Sequence, residues 1–99
     1  MEIELLCIAG CPNRSLARRH IDLALARTGR DAVVRERVVA SAEEAQSLGM
    51  RGSPTILIDG RDAFAGAAAG GGLSCRLYSS EAGVSGAPTV SQLVEAMGG

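Results

Sequence analysis

Residues 3–9, Ile-Glu-Leu-Leu-Cys-Ile-Ala, begin with alternating apolar and polar side chains and end apolar on both faces. That change of pattern predicts a strand covered on both sides, as in the middle of a sheet flanked by helices. Gly10-Cys11-Pro12 follows with no spacer. Proline has a fixed φ and no N–H to lose, so it suits a first helical position and places Cys11 at the N-cap. The helix is predicted to run to about Thr28, because Leu16, Ala17, Ile21, Ala24, Leu25 and Thr28 recur at three- and four-residue intervals. Arg14, Arg18, Arg19, Asp22 and Arg27 take mainly the other sides, and Gly29 is the C-terminal stop.

The β-branched run over 32–39 predicts a second strand. Ser41 and Glu44 have the spacing of a capping box, opening a short helix through Leu48 that Gly49 ends. Thr55–Ile58 reads as a third strand, Asp59-Gly60 as a hairpin turn needing positive φ, and Arg61–Ala65 as the returning strand. Thr89 and Gln92 can cap a last helix whose apolar face is Val90, Leu93, Val94 and Met97. The order β-α-β-α-β-β-α predicts an α/β fold: a central mixed sheet flanked by helices, with parallel strand–helix–strand units and an antiparallel edge. The whole of 1–99 is expected to be one domain, with 66–87 as a flexible Gly-rich insertion before the last helix.

Composition then limits what such a domain can do. A chain of 99 residues supports one modest core. With one Phe, one Tyr and no Trp, that core must come from Leu, Ile, Val and Ala, and homodimerisation is one way to supplement it. A net charge of −1 argues against a nucleic-acid partner, which needs clustered basic groups. No apolar run has the length of a membrane helix. The opening Met1-Glu2-Ile3-Glu4 lacks the basic start of a secretory signal, so the expectation is a reducing cytoplasm. There three cysteines, an odd number, act as buried thiols, metal ligands or redox groups and not as a disulfide framework.

Position separates the three. A thiol at a helix N-terminus faces unpaired N–H groups and the positive end of the helix dipole, both of which favour the thiolate. Cys11 is therefore expected to titrate below the free value of about 8.5 and to be the nucleophile, with Arg14 adding positive charge. The alternative is that Cys11 is only a small capping residue, although cysteine is a poor cap beside Ser, Asp or Asn. A second constellation is Gly52-Ser53-Pro54-Thr55, directly before an apolar strand. A proline there is tolerated because it begins the ladder, and in a tight turn it is a candidate for cis geometry.

A strand ending in Gly10-Cys11-Pro12-Asn13-Arg14 at a helix start, followed by Ser53-Pro54-Thr55 before Ile56-Leu57-Ile58-Asp59-Gly60, resembles the thioredoxin-like superfamily. The proline after the first cysteine is most similar to glutaredoxins, and the resemblance covers about residues 2–65 and 88–97. Taken with Leu73-Ser-Cys-Arg-Leu-Tyr78 and the late Gly-Ala-Pro-Thr, the chain looks like small bacterial proteins often labelled alkylmercury lyase or thioredoxin-like. The resemblance implies thiol–disulfide oxidoreductase chemistry with Cys11 as nucleophile. It also implies a disulfide-bearing protein or glutathione-like thiol as partner, bound along Ser53, Pro54 and Thr55 with Pro12 and Arg14 beside the thiol. One departure matters: the family's second cysteine falls on Arg14, so the site reads Cys-Pro-Asn-Arg and has no resolving thiol within the motif.

Cys75, after Gly70-Gly71-Gly72, is then the candidate displaced resolving thiol. With Cys11 it could alternatively hold a soft metal such as Hg(II), Cu(I) or Zn(II), or it could be a buried strand residue between Leu73 and Leu77. A further reading is a non-catalytic binding domain in which Cys11 is residual. Cys7 shares a strand face with Ile3 and Leu5 and reads as a core thiol. His20 reads as a packed residue with no ligand partners at metal spacing, and Gly66–Gly72 carries no phosphate-binding motif. The residues call for no cofactor.

Overall fold

In the computed structural model the described residues are 1–64, 72–81 and 83–98. Strand β1 (Glu2–Cys7) lies between β2 (Val33–Val38), to which it is parallel, and β4 (Thr55–Ile58), to which it is antiparallel. β5 (Arg61–Asp62) pairs antiparallel with β4, so the main sheet has the order β2-β1-β4-β5. Helix α1 (Arg14–Thr28) connects β1 to β2, and α2 (Ala42–Leu48) follows β2. β3 (Arg51–Ser53) precedes β4 and pairs in parallel with β6 (Gly72–Cys75), while β7 (Tyr78–Ser80) and β8 (Gly83–Ser85) form a hairpin before α3 (Val90–Ala96). The architecture is α/β, a mixed sheet with three helices. No helix among the described residues is long and apolar enough to cross a membrane.

The central position of β1 follows from its two apolar faces. Ile3, Leu5 and Cys7 point to one side and join Ile56 and Ile58 of β4 against Ala17, Ile21 and Ala24 of α1 and Leu93 of α3. Leu6 points to the other and meets Leu57, Val39, Met50 and Ala45 of α2. Each large aliphatic side chain so buried contributes about 2 kcal/mol. The small alanines of α1 let the helix sit close to the sheet.

Local signals placed the element ends. Gly29 and Gly49 terminate α1 and α2 in left-handed conformation. The Ser41 hydroxyl accepts the Glu44 N–H, while the Glu44 carboxylate takes the Ala40 N–H, one residue earlier than a strict capping box. Thr89 and Gln92 form the complete box. Asp59 and Gly60 both have positive φ, 50° and 80°, in the β4–β5 turn.

Three expectations are corrected. The unit β2-α2-β4 does not give parallel strands. A parallel return requires a connection that recrosses the sheet, and α2, with 7 residues, reaches only about 10 Å. The returning strand after Asp59-Gly60 is two residues long, not the expected five. Finally, within the region read as a Gly-rich insertion, β6 carries Cys75, in line with the reading of it as a strand residue, whereas β7, β8 and β3 were not anticipated.

Candidate functional site

The loop from β1 to α1 carries Cys11 at 8% exposure. Two consecutive turns hold it: its N–H donates to the Ile8 carbonyl at 3.2 Å, and its carbonyl accepts the Arg14 N–H at 3.3 Å. The second turn changes the role expected of Pro12. A fixed φ fits the second residue of a β-turn as well as a first helical position, and the chain uses it in the turn. The helix therefore starts later, with Asn13 at its N-cap, and Cys11 lies two residues before the cap instead of on it. The helix-cap argument for activating Cys11 does not carry over to this geometry.

What stands next to Cys11 is Cys7. The Cys7 side chain, 1% exposed, points from the end of β1 into the same apolar cluster as Cys11. The Cys11 thiol and the Ser53 hydroxyl both act on its titration. Burial, and then the neighbouring Cys11 thiol, push Cys7 up to about 11, opposed by the Ser53 hydrogen bond and the Arg14 charge. Cys7 is thus a core residue, as its strand position predicts, and also a neighbour of the loop thiol. The Cys11 position four residues on, after a left-handed Gly10 at φ 71°, is the sequence signal for that return.

Ser53 is fully buried, and its hydroxyl accepts the Ile8 N–H at 3.0 Å, which ties the Ser53-Pro54 turn to the end of β1. The Ser53–Pro54 peptide is cis, in agreement with the sequence reading. Thr55 is also fully buried; its hydroxyl donates to the Gly52 carbonyl at 2.6 Å and accepts the Arg51 N–H at 3.1 Å. Both hydroxyls are thus committed to holding the turn. Pro12 is exposed.

Arg14 reaches the Glu36 carboxylate on β2, with its Nε 2.8 Å from Oε1, and Arg18 reaches the second oxygen at 3.1 Å. The Arg14 hydrogen bond leads the effects that hold Glu36 below the usual carboxylate range. The charge of Arg14 is felt at both Cys7 and Cys11. A surface groove of about 490 Å³ lies along Arg14, Ser15, Arg18, Asp22, Leu23 and Glu36. No cysteine among the described residues lines it.

The chain's one Phe and one Tyr meet behind Pro54. Phe64 and Tyr78 are T-shaped with centroids 5.6 Å apart, and the Tyr78 hydroxyl donates to the Pro54 carbonyl. Burial raises the Tyr78 phenol well above its ordinary range. Arg76 is 1% exposed, lies 4.7 Å from the Tyr78 ring centroid and bridges Asp62 at 2.7 Å. Its Nη2 donates to the Phe64 carbonyl, its backbone N–H donates to the Ser53 carbonyl, and its Nε has no partner. None of Asp62, Arg76 and Tyr78 was singled out from the sequence as part of the site, since nothing local marks an arginine for burial.

The backbone of Cys75 lies opposite Ser53 in the β3–β6 pair, while the Cys75 side chain lies outside the described residues. His20 packs as expected, with Nδ1 2.7 Å from the Pro88 carbonyl. Among the described residues no group of three or more His, Cys, Asp or Glu side chains is gathered for a metal. An α/β fold with a thiol pair at the C-terminal end of its central strand is the class that fold and site define. Comparison with protein-family models, curated proteins and solved structures finds no match.

Proposed function

We propose that this chain is a thioredoxin-like thiol protein that exchanges disulfides through Cys11, with a disulfide-bearing protein or a glutathione-like thiol as partner. The observation that carries the reading is the placement of Cys11: a loop thiol in one cluster with a second thiol, just after the strand end to which the Ser53-Pro54 turn is tied, and within reach of the Arg14 charge. Thiol–disulfide exchange needs an accessible attacking sulfur and favourable surroundings for thiolates. Cys11 is the more accessible of the Cys7–Cys11 pair, and Arg14 supplies positive charge to both. The mixed β2-β1-β4-β5 sheet, with α1 and α3 on one face and α2 on the other, supports the thioredoxin-like assignment.

The test is incubation with glutathione disulfide at neutral pH, followed by intact mass and peptide mapping. The expected result is a glutathione adduct, or an internal disulfide derived from it, involving Cys11 and lost in Cys11→Ser. Absence of either product in the wild-type chain, or unchanged chemistry in Cys11→Ser, removes the reading.

A further inference from the structure

We propose that Cys7 is the resolving thiol of this site, so that the redox couple is a Cys7–Cys11 dithiol and disulfide. The inference rests on the proposed exchange chemistry at Cys11 and assigns the second sulfur, which the Cys-Pro-Asn-Arg motif lacks at its usual place. Strand and loop bring the two residues into one cluster. β1 points Cys7 toward α1, and the Ile8–Cys11 turn folds the loop back so that both thiols enter one cluster. The Ser53 hydroxyl, anchored by the Ile8 N–H, and the Arg14 charge both favour the Cys7 thiolate against its burial.

The division of labour follows from exposure. Cys11, the outer thiol, meets the substrate disulfide, whereas Cys7 at 1% exposure can be reached only by a sulfur already inside the site. The Cys11 thiolate attacks one sulfur of the substrate disulfide. The substrate S–S bond breaks, a Cys11–substrate disulfide forms, and the first substrate thiolate leaves and takes up the proton Cys11 lost. Cys7 then gives its proton to solvent and attacks Cys11 Sγ. The mixed disulfide breaks, the Cys7–Cys11 bond forms, and the second substrate thiolate leaves and is protonated. Two electrons have moved from the Cys7–Cys11 pair to one substrate disulfide. A buried thiol with a high pKa is a strong nucleophile once deprotonated, which suits the second step better than the first.

The sequence provides a clean assay. Trypsin cleavage after Arg14, Arg61 and Arg76 leaves Cys7 and Cys11 on peptide 1–14 and Cys75 on peptide 62–76. After reaction with glutathione disulfide and alkylation of free thiols, the wild-type peptide 1–14 is expected to have lost two hydrogens and to carry neither glutathione nor alkyl groups. In Cys7→Ser the internal disulfide is lost and the glutathione adduct on Cys11 accumulates. The wild-type readout stands on its own if that variant does not fold. A cross-link between peptides 1–14 and 62–76 assigns resolution to Cys75 and overturns the proposal while leaving exchange at Cys11 intact. A glutathione adduct that persists equally in wild type and Cys7→Ser overturns it in favour of a lone thiol. No product in either protein overturns both this assignment and the exchange reading beneath it.

Discussion

The Tyr78 hydroxyl donates its hydrogen bond to the carbonyl oxygen of Pro54, 24 residues earlier in the chain. This contact joins the segment after β6 to the turn whose Ser53 hydroxyl holds the end of β1. A chain with so few aromatics places both of them, in mutual contact, behind that turn. The buried Arg76 completes the support by bridging Asp62 and donating to Ser53 and Phe64 carbonyls.

Tyr78→Phe keeps the ring, the Phe64 contact and the Arg76 stacking, but leaves the Pro54 carbonyl without its donor. The expected loss is about 1–2 kcal/mol of unfolding free energy, read by urea denaturation. A midpoint equal to wild type would show that the hydroxyl contributes nothing to holding the turn.

Asp62→Ala leaves the Arg76 guanidinium buried without its counter-charge and is expected to cost about 3–5 kcal/mol. Adding Arg76→Met removes that charge together with its unpartnered Nε, so the double variant should regain a large part of the loss. Additive losses in the double-mutant cycle would contradict the pairing.

The raised pKa of Cys7 makes stability depend on alkaline pH. The folded value of about 11 lies above the ordinary thiol value of 9.0, so the folded state holds the thiol proton more tightly than the unfolded state. The stabilisation is complete below about 9 and is lost as pH rises through about 11. Thermal unfolding of wild type should fall over that window more steeply than that of Cys7→Ser. Tyr78 titrates in both proteins, so the difference between them isolates Cys7. Parallel curves would remove the shift.

Native alkylation by iodoacetamide at neutral pH should modify Cys11 before Cys7. Cys7 is both more buried and held protonated, and only the thiolate reacts. In denaturant the order should disappear. Faster modification of Cys7 in the native protein would contradict its placement.

Gly86 packs against Asn13, the N-cap of α1, where a Cβ would overlap the Asn13 carboxamide. Gly86→Ala is expected to push the Asn13 carboxamide aside at a cost below about 1 kcal/mol, because that group is the end of a flexible side chain with no capping hydrogen bond, and Asn13→Ala in the same chain should remove what cost there is. Thermal melts of the single and double variants decide the point.

The sequence by itself determined what depends on neighbours three or four residues away. The Thr89–Gln92 capping box, the Gly29 and Gly49 stops, the Asp59-Gly60 turn and the two apolar faces of β1 all lie where local patterns put them. The Ser53-Pro54 turn was legible for the same reason. Tertiary structure decided what depends on which distant segments share space. It turned β4 antiparallel because α2 is too short to recross the sheet. It used Pro12 in a turn, moving the cap from Cys11 to Asn13. It buried Arg76 against Asp62, a partner 14 residues away that no local pattern marks. And it gathered Cys7 and Cys11 into one cluster: strand periodicity assigned the first thiol to the core, but only the folded loop brought the second into it.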